Sequence, residues 1–217
     1  MSLLEEDIVF GRLHPRERLV EDELMERFGA KRHAVREALA ALDHMGLIER
    51  RRNVGALVRS FSAREVEELY AVRTLLEAEA ARLIKYPVAA DRLEQLVAVQ
   101  AEHDAAVASQ DARSVFRSNL AFHQALFGLT GNETLRRAIA EYARQAHPIR
   151  FASLVSPDYR ERARTEHWLM IEALRRGDRK ALIALCAAHL LPSRDAYLAA
   201  NRLRSSTEST RPPNAPR

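Results

Sequence analysis

Two pairs of side chains four residues apart stand out in this chain, Arg32 with Arg36 and Asn119 with His123. On a helix that spacing sets both members over adjacent turns of one face. Two guanidinium forks so placed can bond guanine O6 and N7 bidentately or clamp phosphates. An amide oxygen beside an imidazole can reach one metal ion. His167 and His189 come from later segments; taken singly, a histidine on an apolar helix is more often a hydrogen-bonded core residue than a ligand. His33 lies between the two arginines as a further contact candidate. Arg50, Arg51 and Arg52 form a second basic cluster suited to phosphates, shortly before Gly55, where a residue without Cβ lets backbone approach a partner closely.

Catalytic chemistry is poorly served by comparison. No His-Glu-x-x-His run or nucleophile motif occurs, and Glu166, although it abuts His167, is expected to point to another face of its helix. The single cysteine, Cys186, sits among Leu182, Leu185 and Ala187, reads as a buried small apolar residue and excludes an internal disulfide. The formal net charge is +4, and its distribution says more than its size. Between Arg27 and Arg59 the basic residues are Arg27, Lys31, Arg32, Arg36, Arg50, Arg51, Arg52 and Arg59, against only Glu37, Asp43 and Glu49. That segment is the basic patch expected of a nucleic-acid contact.

The elements that must position these groups fall into two sets, as a length of 217 residues allows. Ser2 with Glu5 resembles a capping box, and a short first helix carries Leu4, Ile8 and Val9 up to Gly11. A second helix is predicted over residues 20–28, stopped by Gly29, and a third from Lys31, where Val35, Ala38, Leu39, Leu42 and Met45 make the buried stripe and Gly46 the stop. Strand-like runs at 47–51 and 56–59, joined by Arg52 to Gly55, form a hairpin. Three short helices and a terminal hairpin predict a winged helix-turn-helix over residues 1–62, with the third helix in the DNA major groove and the hairpin on the backbone or minor groove. Downstream, amphipathic segments predict helices at 63–85, 89–109, 111–130, 133–151, 158–175 and 178–203, an all-α antiparallel bundle, with 204–217 as a disordered tail. The fold class is thus mainly α. Apolar residues are 47% and charged residues 29%, which fits a globular chain rather than a disordered one. No uncharged apolar run approaches a membrane span and the acidic start lacks a basic leader, so a cytoplasmic protein is expected.

From Ile8 to about Leu198 the chain resembles the GntR-type transcriptional regulators, in the branch whose sensor is the helical FCD domain. The first half carries this in Gly11-Arg12-Leu13-His14-Pro15-Arg16-Glu17-Arg18-Leu19-Val20-Glu21, Leu24, Arg32, Val35-Arg36-Glu37-Ala38-Leu39, Leu42 and Gly46-Leu47-Ile48. The second half carries it in Tyr70-Ala71-Val72-Arg73-Thr74-Leu75-Leu76-Glu77, Phe122-His123, Gly131-Asn132, Glu166-His167, Gly177-Asp178 and His189. The resemblance implies a DNA-binding repressor; because one such domain buries little DNA surface, a homodimer reading a pseudo-palindromic double-stranded operator is expected. It implies that Asn119, His123, His167 and His189 surround a divalent metal, zinc foremost, with nickel or manganese as alternatives. It also implies that Arg73 and Arg150 clamp a small carboxylate effector at or near that ion; the competing reading is surface salt bridges with Glu77 or Glu68. The chain departs from the pattern at three places. Lys31-Arg32-His33-Ala34 and Asn53-Val54-Gly55 replace the usual recognition-helix entry and wing tip, so operator preference does not carry over. Asn119 stands where metal-binding members carry Asp; losing that charge should weaken ion binding and strengthen the pull on an anionic effector. Trp168 reads as core or pocket wall, and His103 and His147 receive no role. Two other readings are a metal-dependent hydrolase-like enzyme using an open coordination position, and a DNA-binding protein whose helical half is purely structural.

Overall fold

The computed structural model describes residues 3–150 and 156–209. Its N-terminal part comprises α1 (Leu3–Val9), β1 (Arg18–Leu19), α2 (Glu21–Phe28), α3 (Arg32–His44), β2 (Ile48–Arg51) and β3 (Gly55–Val58). Leu24, Val35, Leu39, Leu42, Leu47 and Val58 meet in one apolar cluster, so the stripe expected from α3 spacing is the face that packs. Gly29 makes the turn between α2 and α3 at φ 59°, a left-handed conformation in which its N–H caps α2. The sheet runs β1-β3-β2, all antiparallel, with Arg50 opposite Ala56 and Arg18 opposite Leu57. Strand β1 was not foreseen: two residues are too few to show alternation.

The helical part comprises α4 (Ala63–Leu83), α5 (Ala90–Ala108), α6 (Ala112–Gly128), α7 (Glu133–Gln145), α8 (Pro157–Arg176), α9 (Arg179–His189) and α10 (Leu191–Ser209). Ser62 opens α4 with a reciprocal capping box to Glu65. Helix α6 packs on α5, α9 lies against α4 and α8, and α8 also contacts α5. Leu96, Phe122, Leu126, Met170, Ile171 and Leu182 fill the space between them, with Cys186 buried in the same core. Two predicted helices are corrected. The 178–203 segment is broken at Leu190, because Pro192 suits the first turn of a new helix, where its missing N–H costs nothing. The 133–151 segment is interrupted at Ala146 before a helical run at 147–150; Phe151 lies outside the described residues. The tail predicted from 204 is helical as far as Ser209, and 210–217, like Ser2, lie outside the described residues. Among the described residues no helix is long and apolar enough to cross a membrane.

The two parts are tied by the acids of α1, which are buried rather than solvated. Glu6 bonds Arg113 and Arg117 of α6, and Val9 packs beside Phe116. Further on, the Tyr197 hydroxyl donates to the Phe61 carbonyl.

Candidate metal centre and nucleic-acid interface

His123 comes from α6, His167 from α8 and His189 from the end of α9. One ligating nitrogen of each lies within 4.8 Å of the others, and the Nε2 atoms of His123 and His189 are 3.1 Å apart. Tetrahedral ligation at about 2.0–2.1 Å needs nitrogens roughly 3.3 Å apart, so a closure of at most ~1.5 Å would fit all three around one ion. His167 Nε2 is buried without a partner, a cost that a metal bond would remove. The His167 ring is held in plane by Phe122, stacked at 3.8 Å, and by its Nδ1 on Gln100 Oε1 at 2.8 Å. His189 Nδ1 lies 2.6 Å from Glu166 Oε2. Carboxylate and amide oxygens on the far nitrogens direct Nε2 lone pairs inward, as metal-binding imidazoles require. Burial first, and neighbouring imidazoles second, hold His123 and His167 well below the ordinary histidine range, so both are neutral. The triad could hold a metal ion.

Asn119, one turn before His123 and 4% exposed, has its Nδ2 buried without a partner. With His189 it lines a cleft of about 60 Å³, whose other walls include Arg150, Arg162, Glu166 and Ser193. That volume is about two water molecules, the size of a carboxylate head. Burial, and then the nearby charge of Arg73, push Arg150 down to about 10, which leaves it cationic at neutral pH. Arg73 itself is absent from the cleft's walls. It is buried in an ion pair with Glu77 at 3.0 Å, while its Nε and Nη1 have no partner. Of the two arginines expected to clamp an effector, one reaches the cleft and the other adds positive charge nearby.

Sequence reasoning misplaced Glu166 and missed Gln100. Glu166 does leave its helix in a different direction from His167, but α9 brings His189 to meet it, and Arg162 Nε donates to its other oxygen at 2.7 Å. Although burial raises Glu166, hydrogen bonds from His189 and Arg162 bring it below the ordinary carboxylate range. Gln100 belongs to a longer chain: its amide donates to Asp104 at 2.8 Å, and Asp104 also accepts from Trp168 Nε1 at 3.0 Å. His103 is buried with Nδ1 3.0 Å from Ser118 Oγ, and burial holds it down to about 4. His147 contacts Glu5 of α1 at 3.3 Å.

On the N-terminal part, Arg32, His33 and Arg36 are exposed on the face of α3 opposite its packed stripe. The acids of α2 hold the two arginines: Arg32 bonds Asp22 at 2.6 Å and Glu21 at 3.3 Å, and Arg36 bonds Glu21 at 2.9 Å. Arg50 pairs with Asp43 at 3.1 Å and Arg51 with Glu49 at 2.6 Å, whereas Arg52 is exposed at the wing. Gly55 has φ 100°, a conformation other residues rarely adopt. A groove between α3 and the sheet is lined by Arg50, Arg51, Arg52 and Arg18. Arg18 had no contact role in the sequence reading, because strand β1, which places it there, was not foreseen.

Comparison with known proteins finds two family matches along the chain. The profile described as bacterial regulatory proteins, gntR family, matches residues 1–58, and that of the FCD domain matches residues 68–191. The chain is 26% identical over 187 residues to the uncharacterized HTH-type transcriptional regulator YdhC of Bacillus subtilis, covering 86% of this chain and 84% of that protein. It is 29% identical over 177 residues to the Nta operon transcriptional regulator of Aminobacter aminovorans, covering 82% and 80%. Among solved structures, E. coli McbR/YncC superposes with a TM-score of 0.76 at 20% identity, over 91% of this chain and 94% of that one, which shows a shared fold. These families are transcriptional regulators, not enzymes. The chain belongs to the GntR family of bacterial regulatory proteins, as a transcriptional regulator that joins a GntR helix-turn-helix to an FCD domain.

Proposed function

We propose that this protein is a cytoplasmic repressor whose operator affinity is set by a small carboxylate held beside a divalent metal in the helical part. The observation that carries the metal reading is the convergence of three imidazole nitrogens within 4.8 Å, two of them backed by Gln100 and Glu166. His123, His167 and His189 would be the protein ligands, with the Asn119 side chain beside them. Zinc suits three imidazoles best, with nickel or manganese as alternatives. A bound ion would supply a Lewis-acidic position for an anionic ligand. Arg150 supports the carboxylate assignment, since its cationic side chain lines the same cleft.

Arg32, His33 and Arg36 would read base edges, and Arg50, Arg51, Arg52 and Gly55 would meet the backbone of double-stranded DNA. The ion pairs of Arg32 and Arg36 are exposed, each worth about 1 kcal/mol or less, so phosphates can displace their acids. A homodimer would place two such helices on a pseudo-palindrome; exposed Val72, Leu75 and Leu83 on α4 support such an interface. An effector would act by shifting the pose of the two DNA-binding parts. The test is operator affinity of the purified protein with and without chelator, across a panel of central-metabolism carboxylates. At least one carboxylate should weaken binding at least tenfold, and chelation should abolish that response; insensitivity to every carboxylate and to chelation would favour a purely structural helical half.

A further inference from the structure

His123 serves two sites. Its Nε2 meets the other imidazoles, while its Nδ1 is buried without a partner. The same ring lines a cavity of about 250 Å³ between the two parts of the molecule. Glu5 and Met45 contribute its walls from the N-terminal part, and Phe127, Ile139 and His147 from the helical part. His147 is 1% exposed, and its Nε2 has no partner either.

The other two histidines of the triad have protein acceptors on Nδ1, Gln100 for His167 and Glu166 for His189. A metal-bound imidazole almost always donates its second N–H, and a buried donor left unpaired is costly. We propose that a small, mostly apolar molecule carrying a carbonyl oxygen occupies the interdomain cavity, with that oxygen accepting from His123 Nδ1–H. This rests on the metal reading above. Benzene fits about 150 Å³, so 250 Å³ walled by Leu120, Phe127 and Ile139, with Gln124, Arg136 and Arg144 also in the lining, admits a substituted ring that carries one polar group.

The proton inventory gives the coupling its sign. Without a metal, the single ring proton of His123 has a partner only at Nε2, 3.1 Å from His189 Nε2, and Nδ1 is then an acceptor. With Nε2 bonded to a metal, His123 would carry its ring proton on Nδ1, as a donor into the cavity. Metal and carbonyl ligand therefore favour each other by the same factor. Because α1 and the residue following α3 form part of the wall, the occupant also fixes the pose of the DNA-reading helix.

The probe is acetophenone, neutral and so indifferent to the arginine-lined cleft, with α-methylstyrene as the isostere in which CH₂ replaces oxygen. In NMR titrations of the zinc-loaded full-length chain, acetophenone should bind about tenfold tighter than α-methylstyrene. Chelation should erase that preference. Ala143→Phe and Ala140→Leu fill the cavity and should remove binding, with zinc affinity and circular dichroism unchanged. Equal binding of the two probes to zinc-loaded protein, a preference that survives chelation, or binding that survives both cavity fillers would overturn the inference. Zinc titration of the wild type against His167→Gln tests the metal reading separately.

Discussion

The Glu166–His189 contact offers the sharpest test of the metal centre, because one isosteric change removes a charge without changing shape. In Glu166→Gln the side-chain oxygen can still accept from His189 Nδ1, but the 2.6 Å charge-assisted bond becomes a neutral one. Outer-shell partners of this kind are worth 10–100-fold in metal affinity. Arg162 shares the carboxylate at 2.7 Å and drains part of its charge, which points to the lower edge, about tenfold or ~1.4 kcal/mol. Competition against a chromophoric chelator measures zinc affinity, with His167→Gln as the reference for a broken triad. The companion variant reverses the sign: Arg162→Gln releases the carboxylate to His189 and should leave zinc affinity unchanged or tighter. Full affinity in Glu166→Gln would refute the reasoning. So would an equal loss in Arg162→Gln, since that would mean a disturbed cleft rather than a lost charge on the ligand.

Asn119→Asp, adding a carboxylate one turn from His123, should tighten zinc and weaken the carboxylate effector; titration calorimetry that finds both affinities unchanged contradicts this placement. Arg36→Ala should cost about 1–3 kcal/mol of operator binding and relax specificity, whereas Arg52→Ala should weaken all sequences alike and lower the salt slope by about 1; fluorescence anisotropy against salt separates the two. Glu6 is raised by burial but lowered by its hydrogen bonds to Arg113 and Arg117, and the net shift is downward. Its stabilisation is therefore present above the ordinary carboxylate value of 4.5 and is lost as pH falls through the lower folded value. Hydrogen exchange should find α1 loosening from α6 in acid ahead of the helical core, and Glu6→Gln should show that looser state already at neutral pH.

What the sequence made legible is what one element writes by itself. The α3 stripe, the stops at Gly29 and Gly46 and the i, i+4 pairs are local, and the corresponding elements form within a few residues of their expected ends. The break at Leu190 was masked because apolar side chains continue through it, so periodicity alone reads one helix where Pro192 begins a second. Strand β1 was too short to carry any period.

Contacts between distant segments leave no such trace, and much of the candidate site's support is of that kind. Glu166 was sent away from the site because neighbours on a helix diverge by about 100°. That argument holds for its own His167 and fails for His189, which reaches Glu166 from another helix. The acids Glu5, Glu6 and Asp7 look like a solvated run until Arg113, Arg117 and His147 arrive from more than a hundred residues away, together with Arg27 for Asp7. A charge run without its partners reads as surface, yet here it seats the DNA-binding part on the helix that carries His123. An ion or ligand that moved α6 would therefore pull on α1 through the buried Glu6 carboxylate and its half-exposed partners Arg113 and Arg117. A link of that kind resists small displacements because a separated buried carboxylate is costly, and so it can transmit a motion across the domain boundary.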